Sequence, residues 1–154
     1  IPEDVIERAK MMALQTIGVS LAAKESPIAG HVLKFAETLN GGPGGKATSW
    51  IGGTKLSPSN AVLVNGTIAD ALDWEDCSWT GHPSASIIPV AWAIAQAEGK
   101  SGKDFLTAVV GGFEVYQRIA MAVQPPADWD VFKGWGLTSW QIFGALLRPA
   151  NCWD

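Results

Sequence analysis

The chain has 154 residues and a formal net charge of -4, and 47% of its residues are hydrophobic whereas only 17% are charged. This length favours a single domain, predicted over residues 1–154, that buries about two thirds of its unfolded surface. The net acidity excludes the basic surface that nucleic acids and anionic membranes need, so small molecules and other proteins remain as partners.

The two cysteines and the apolar runs indicate the cellular compartment of the chain. Cys77 and Cys152 lie far apart in sequence without Cys-x-x-Cys spacing, which predicts neither a zinc site nor a disulfide framework. A reducing, cytoplasmic compartment fits best. The most apolar runs, around residues 87–97 and 105–115, are too short and too interrupted to span a bilayer, so no membrane segment is predicted.

Apolar residues that recur every three or four positions predict five longer helices. They run from Pro2 to about residue 22, from Ser26-Pro27 to Asn40, from Ser57-Pro58 through Leu72, from Pro83 or Ser84 to Glu98, and from about Lys103 to Ala122. Ser26 is predicted to cap the second helix, and Ser101 with Asp104 resembles a capping box before the fifth. The third helix is expected to present Asp70 and Asp73 on one face.

The segments between these helices carry little regular structure. Residues 41–46 are rich in glycine but lack the order of a phosphate loop, so they are predicted to be a connector. A short extended segment is predicted at residues 47–51, and a last helical piece follows a Trp-rich stretch at residues 129–140. Because no sustained strand alternation occurs, the predicted fold class is all-α, a helical bundle.

The stretch 65–84 concentrates the ionisable side chains of the chain. It carries the carboxylates Asp70, Asp73, Glu75 and Asp76, the thiol of Cys77 and the imidazole of His82. Polar groups between apolar helices are typical either of a site held by helix ends or of an ordinary solvated loop, and the composition leaves both open. His31, the other histidine, has no acidic or cysteine partner at a ligand spacing and is interpreted as a surface or packing residue.

Seven short motifs recur in a recognisable order along the chain. They are Ile1–Val5, Asn65-Gly66, Asp73–Asp76, His82–Ser84, Ser101-Gly102, Gly111–Val115 and Arg118-Ile119. Together they resemble the MmgE/PrpD family over residues 1 to about 145. The resemblance implies the first part of the large all-helical domain of that family without its smaller α+β lid domain, and self-association as a homodimer or higher oligomer.

The family includes 2-methylcitrate dehydratase, cis-aconitate decarboxylase and iminodisuccinate epimerase. The resemblance implies that His82 and Asp73 are catalytic, that Asp76, Cys77 and Ser84 contact a small di- or tricarboxylate, and that neither a metal nor a cofactor takes part. Cys77 stands where Thr is usual, and no histidine occurs near residues 135–138, where the family commonly has a second one. Asp73 and Asp76 fit equally well as structural residues that cap helix ends and orient the imidazole.

The charge around this stretch argues against activity of the chain by itself. From Ser57 to Gly99 there is no Lys or Arg, whereas the same segment has five acidic residues. A polycarboxylate would be repelled there unless cations come from elsewhere, so we expect a truncated lyase or epimerase that is inactive alone. Two alternatives stay open, namely a minimal enzyme completed by a second copy and a non-catalytic helical interaction module that uses Trp129, Trp135 and Trp140.

The last ten residues, 145–154, depart from the family pattern. One permitted set of codons for them, read in a shifted frame, encodes Ala-Ala-Ala-Ala-Gly-Lys-Leu-Leu-Gly, which resembles the helix expected there. We hypothesise that the product ends through a frameshift, and a divergent tail is the alternative. Sequencing of the gene distinguishes the two.

Overall fold

The computed structural model of the protein describes residues 1–41, 44–78, 81–123 and 141–146. Within these residues lie α1 (Glu3–Ala22), a 3-10 turn (Ala23–Glu25), α2 (Pro27–Asn40), α3 (Pro58–Asp70), α4 (Ser84–Glu98), α5 (Gly102–Val123) and α6 (Gln141–Ala145). Two short strands, β1 (Ala47–Thr48) and β2 (Lys55–Leu56), form the sheet. The predicted all-α class is confirmed. The Trp-rich stretch and residues 147–154, which carry the predictions on partner binding and the tail, lie outside the described residues.

The helices begin and end where the sequence favours a cap. Asp104 accepts a hydrogen bond from the backbone N–H of Ser101 at 3.0 Å, while the Ser101 hydroxyl accepts one from the Asp104 N–H at 3.2 Å. These bonds complete the predicted capping box. The Ser101 hydroxyl, which also donates to the Asp104 carboxylate at 2.7 Å, and the Ser101 N–H lower the pKa of this exposed carboxyl. Gly41 and Gly99 end α2 and α4 with positive φ angles of 72° and 65°.

Ser26 departs from its predicted role. It occupies the N-cap position of α2, but its side chain makes no capping hydrogen bond. Its hydroxyl is buried and has no hydrogen-bond partner within the part of the chain that the structure describes. The helix begins there because Pro27 has a backbone angle suited to the first helical turn.

A small hairpin packs on α3 through Asn65. β1 pairs with β2 in antiparallel register, with Ala47 opposite Leu56, in the region where the sequence predicted one extended segment. The fully buried amide of Asn65 accepts a hydrogen bond from the Trp50 N–H at 2.8 Å and donates one to the Thr48 carbonyl at 3.0 Å. Asn65 therefore satisfies backbone groups that the short hairpin leaves without partners.

Helix α4 lies at the centre of the fold, in contact with α1, α3, α5 and α6. Its fully buried Ile88 packs with α1 and α5, while Ile87 packs with Tyr116 of α5. Pro89 lies within α4 and cannot donate to the carbonyl of Ala85, four residues earlier. The helix α3 approaches that carbonyl at Gly66, where an added Cβ would lie 3.3 Å from the Ala85 oxygen.

The crossing of α5 and α6 depends on two glycines that face each other. A Cβ at Gly112 would lie 2.6 Å from the Ile87 side chain and 2.9 Å from the Gly144 carbonyl oxygen. A Cβ at Gly144 would lie 2.9 Å from the Gly112 oxygen. Neither position accepts a side chain unless the helices separate. The Ile87 side chain lies beside both glycines and so packs the first turn of α4 against this crossing.

None of the helices in the four described segments combines the length and the apolar character that a membrane span requires.

The glycine contact gives the first prediction. Gly112→Ala should lower the free energy of unfolding by about 1 to 3 kcal/mol, the usual effect of overpacking, because the added methyl group meets Ile87 and the Gly144 backbone. Gly111→Ala is the matched control, because its Cβ meets nothing within 4 Å. We expect this control to raise stability by up to about 1 kcal/mol through helix propensity. Urea unfolding followed by circular dichroism measures both, and equal effects would contradict the close crossing.

Candidate active site

The acidic stretch forms the connection between the end of α3 and the start of α4. Helix α3 ends at Asp70, so the prediction that a continuous helix presents Asp70 and Asp73 on one face is wrong. Asp73 instead adopts a left-handed backbone conformation with φ of 55°. Aspartate tolerates this conformation better than most residues, and the chain turns here toward α4.

The turn brings two carboxylates to the imidazole of His82. The Nδ1 atom lies 3.0 Å from Oε1 of Glu75, and the Nε2 atom lies 3.8 Å from Oδ1 of Asp73. The two carboxylates differ in exposure, since the side chain of Glu75 is 0% exposed and that of Asp73 is 86% exposed. The sequence placed Asp73 and His82 in one site, and in the fold they are neighbours.

Burial sets the protonation behaviour of Glu75. Its two carboxylate oxygens and the Nδ1 atom of His82 are buried, and none of them has a well-aligned hydrogen bond within the described residues. Desolvation raises the pKa of the Glu75 carboxyl, and the neighbouring carboxylate of Asp70 raises it further. Glu75 and His82 are thus close enough to share a proton, and Asp70 is the other side chain that interacts with Glu75.

The side chain of Asp76 binds the first residue of α4, Ser84. Oδ1 of Asp76 accepts a hydrogen bond from the backbone N–H of Ser84, the first residue of the helix, at 3.0 Å. Burial raises the pKa of the Asp76 carboxyl, while the hydrogen bonds from Ser84 oppose that shift. Asp76 therefore caps α4, which was the structural alternative, and substrate contacts of Asp76 and Ser84 stay predictions.

Cys77 lies on the exposed side of the same connection. Its thiol is free and exposed, with Sγ 3.5 Å from the carbonyl oxygen of Ser78. Ser78 and Gly81 exchange two backbone hydrogen bonds of 2.9 and 2.8 Å, which close the loop before His82. The predicted substrate contact of Cys77 is not tested by this geometry.

Three other helices hold the connection in place. The amide of Gln141 on α6 donates to the carbonyl of His82, and the amide of Gln15 on α1 donates to the carbonyl of Trp74 at 3.3 Å. The hydroxyls of Ser78 and Tyr116, the latter on α5, lie 3.3 Å apart. These contacts could not be predicted from the sequence, because each joins residues far apart in the chain.

The site combines proton-binding groups with a negative charge. Asp73, Glu75 and His82 each offer one nitrogen or oxygen atom, and these atoms lie within 4.8 Å of one another. Such a set could hold a proton or a divalent cation. Absence of a metal from the reaction, implied by the resemblance, stays a prediction. Glu75 is the residue that the sequence analysis missed. It was named among the four carboxylates of the stretch 65–84 but was given no role.

Comparison with known proteins shows which family the sequence matches. The family model described as the MmgE/PrpD N-terminal domain matches residues 1–139. The chain is 29% identical to a cis-aconitate decarboxylase-like protein of Aspergillus oryzae, covering 97% of this chain and 32% of that protein.

Two mammalian relatives are similarly distant. The chain is 28% and 29% identical to the cis-aconitate decarboxylases of Mus musculus and Homo sapiens, covering 76% and 75% of this chain and 25% of each relative. It thus spans about a quarter to a third of the length of the curated relatives that it matches. No solved structure matches the chain.

The raised pKa of Glu75 predicts a pH-dependent stability. The folded chain holds the Glu75 proton more tightly than the unfolded chain, so this stabilisation is fully present below the unfolded pKa of about 4.3. It is lost as pH rises through the raised folded pKa. Relative to the parent, Glu75→Gln should therefore gain unfolding free energy as pH rises above about 4.3. The gain is about 1.4 kcal/mol for each tenfold difference in proton affinity between the folded and unfolded chains.

Urea unfolding at several pH values measures this gain. Glu25→Gln is the matched control, because Glu25 has a side chain that is 85% exposed. A pH dependence that is the same for both variants would contradict the burial of Glu75.

Proposed function

The chain belongs to the MmgE/PrpD family, and on that premise we propose that it forms the helical part of a lyase site for a small di- or tricarboxylic acid. His82 is the proton-transferring residue of this site. The observation that carries the proposal is the position of His82, with its Nδ1 atom 3.0 Å from the buried carboxylate of Glu75 and its Nε2 atom 3.8 Å from that of Asp73. General acid–base catalysis needs an imidazole placed in this way.

The proposed chemistry moves one proton at a carbon beside a carboxyl group. In a decarboxylation, the C–C bond to the leaving carboxylate breaks, CO₂ departs and the electron pair stays on the substrate carbon. The protonated imidazole of His82 then transfers its Nε2 proton to that carbon. The names of the curated relatives favour decarboxylation over dehydration or epimerisation.

The acidic residues around His82 argue against substrate binding by the chain alone. No Lys or Arg occurs between Ser57 and Gly99, and the five acids of that segment include all four that precede His82 in the connection. Two like charges about 4 Å apart repel by about 1 kcal/mol in water and about 4 kcal/mol near a protein surface. We therefore propose that cations from outside this segment bind the substrate carboxylates, and that the chain by itself is inactive.

A chimera tests the role of His82. Residues 1–139 replace the matched segment of the Mus musculus relative, and release of CO₂ from cis-aconitate is measured. We expect His82→Ala to reduce the rate by about 100- to 10,000-fold, the usual contribution of a general acid or base. His31→Ala, at the exposed histidine of α2, is the matched control and should leave the rate unchanged.

The isolated chain is assayed in parallel with cis-aconitate, 2-methylcitrate and a racemic amino-dicarboxylate. No saturable turnover is expected. Turnover at an ordinary enzymatic rate would contradict the need for added cations and would favour a complete enzyme formed by a second copy. A chimera that is indifferent to His82→Ala would contradict the proton-transfer role.

Self-association is the second part of the proposal. The exposed apolar side chains Met11, Leu14 and Leu21 recur along one side of α1, with exposed fractions of 61%, 67% and 47%. An apolar stripe of this kind favours burial against another surface, and we propose that a second copy of the chain covers it.

The free, exposed thiol of Cys77 supports the cytoplasmic location proposed from the sequence.

Sedimentation velocity over a range of concentrations tests this interface. Leu14→Ser should weaken dimerisation at least tenfold, because an apolar contact is replaced by a polar one. Lys34→Ser, a change at an exposed residue of α2, is the control. A parent chain that stays monomeric at every concentration, or equal effects of the two variants, would contradict the proposed interface.

A further inference from the structure

Unpartnered buried polar atoms are concentrated at one place in the fold. Seven buried side-chain nitrogen or oxygen atoms have no hydrogen-bond partner within the described segments. Four of them lie between residues 75 and 84, namely Oε1 and Oε2 of Glu75, Nδ1 of His82 and Oγ of Ser84. Such groups are costly in a folded protein, so a cluster of them requires an explanation.

The closest pair in this cluster joins Glu75 to His82. Oε1 and Nδ1 are 3.0 Å apart, which is a hydrogen-bond distance although the two groups are not ideally aligned. Hydrogen bonds of catalytic groups are often poorly aligned before a substrate binds. The Glu75 side chain is 0% exposed, so solvent does not compete for its oxygens.

The other ring nitrogen faces a different environment. The imidazole side chain is 23% exposed, whereas its Nδ1 atom is buried, so the exposed part of the ring lies at other atoms. The nearest carboxylate to Nε2 is that of Asp73, at 3.8 Å, and this carboxylate is largely exposed. Nδ1 is therefore the buried nitrogen of the ring, and Nε2 lies beside a side chain that is largely exposed.

We propose that Glu75 is a positioning residue that binds the Nδ1–H group of His82 and thereby leaves the lone pair of Nε2 free on the accessible side. The neutral imidazole of an isolated histidine favours the opposite tautomer, with hydrogen on Nε2. In this fold that tautomer would place the Nδ1 lone pair against the Glu75 carboxylate once Glu75 is ionised, which is repulsive. The Nδ1–H tautomer removes the repulsion and gives both buried atoms a partner.

The inference deepens the proposed function, since Nε2 is the atom assigned to proton transfer. When Nε2 accepts a proton, the ring becomes a cation whose Nδ1–H group remains bound to the Glu75 carboxylate. When Nε2 gives that proton to the substrate carbon, the neutral Nδ1–H tautomer is restored. Glu75 thus fixes which nitrogen reacts, and it does not itself touch the substrate.

Nuclear magnetic resonance of the ¹⁵N-labelled chain tests the tautomer directly. Long-range ¹H–¹⁵N correlations of the two imidazoles are recorded at about pH 9, above the ordinary histidine pKa of about 6.5. For His82 we expect Nδ1 at the shift of a protonated nitrogen and Nε2 at the shift of an unprotonated one. His31, which is exposed, is the internal reference and should show the opposite pattern.

Two variants of similar size separate positioning from packing. Glu75→Gln keeps a carbonyl oxygen that accepts from Nδ1–H and should keep the His82 pattern. Glu75→Met removes the acceptor and should exchange the shifts of the two nitrogens. A parent chain with hydrogen on Nε2 of His82 would overturn the proposal, and so would a Glu75→Met variant with an unchanged pattern.

The result is independent of the proposed reaction. The tautomer is measured without substrate, so an inactive chimera leaves the positioning role intact while contradicting the proposed function. Conversely, the chimera could be active while the spectrum of the parent chain shows hydrogen on Nε2 of His82. That combination would contradict the role of Glu75 but not the proposed function. The parent spectrum requires no variant, so a folding defect in Glu75→Met leaves a decisive measurement.

Discussion

The contact between a buried carboxylate and a half-buried imidazole, Glu75 with His82, is the constraint on which the site depends. A carboxylate with 0% exposure is stable in a folded protein only when a proton or a cationic partner compensates the loss of water. The surrounding structure meets this demand. Asp73 turns the chain after α3, Asp76 caps α4, and Gln141 binds the backbone of His82, so that the ring lies against Glu75.

The helical framework could be predicted from the sequence because its signals are local. Pro27, Ser57 and the pair Ser101 and Asp104 indicate helix starts, and apolar residues at helical spacing indicate the buried faces. From the residue pattern alone, the site was recognised only as an acidic connection, and His82 and Asp73 were selected by the family resemblance. Helix α3 ends at Asp70, two residues earlier than expected, and the chain turns at the left-handed Asp73. A pattern of apolar residues does not show where such a turn begins. The burial of Glu75 arises only in the folded chain, so no property of its sequence neighbours predicts it.

The motif residues of the family divide into different roles in this fold. Asn65 holds a hairpin, Gly112 permits a helix crossing, and Asp76 caps a helix. His82, Glu75 and Asp73 form the group with chemical capacity, and its charge is negative. An acidic group of this kind suits proton transfer but repels a polycarboxylate, so the lyase role and its supply of cations remain linked proposals.

The protonation of Glu75 tests the central claim most directly. A carboxyl ¹³C titration of the labelled chain follows Glu75 separately from the exposed glutamates, with assignment by Glu75→Gln. The account predicts that Glu75 titrates above the ordinary glutamate pKa of about 4.3, because its carboxylate is removed from water. A titration at or below the ordinary glutamate pKa would contradict the dominance of desolvation at the Glu75 carboxylate.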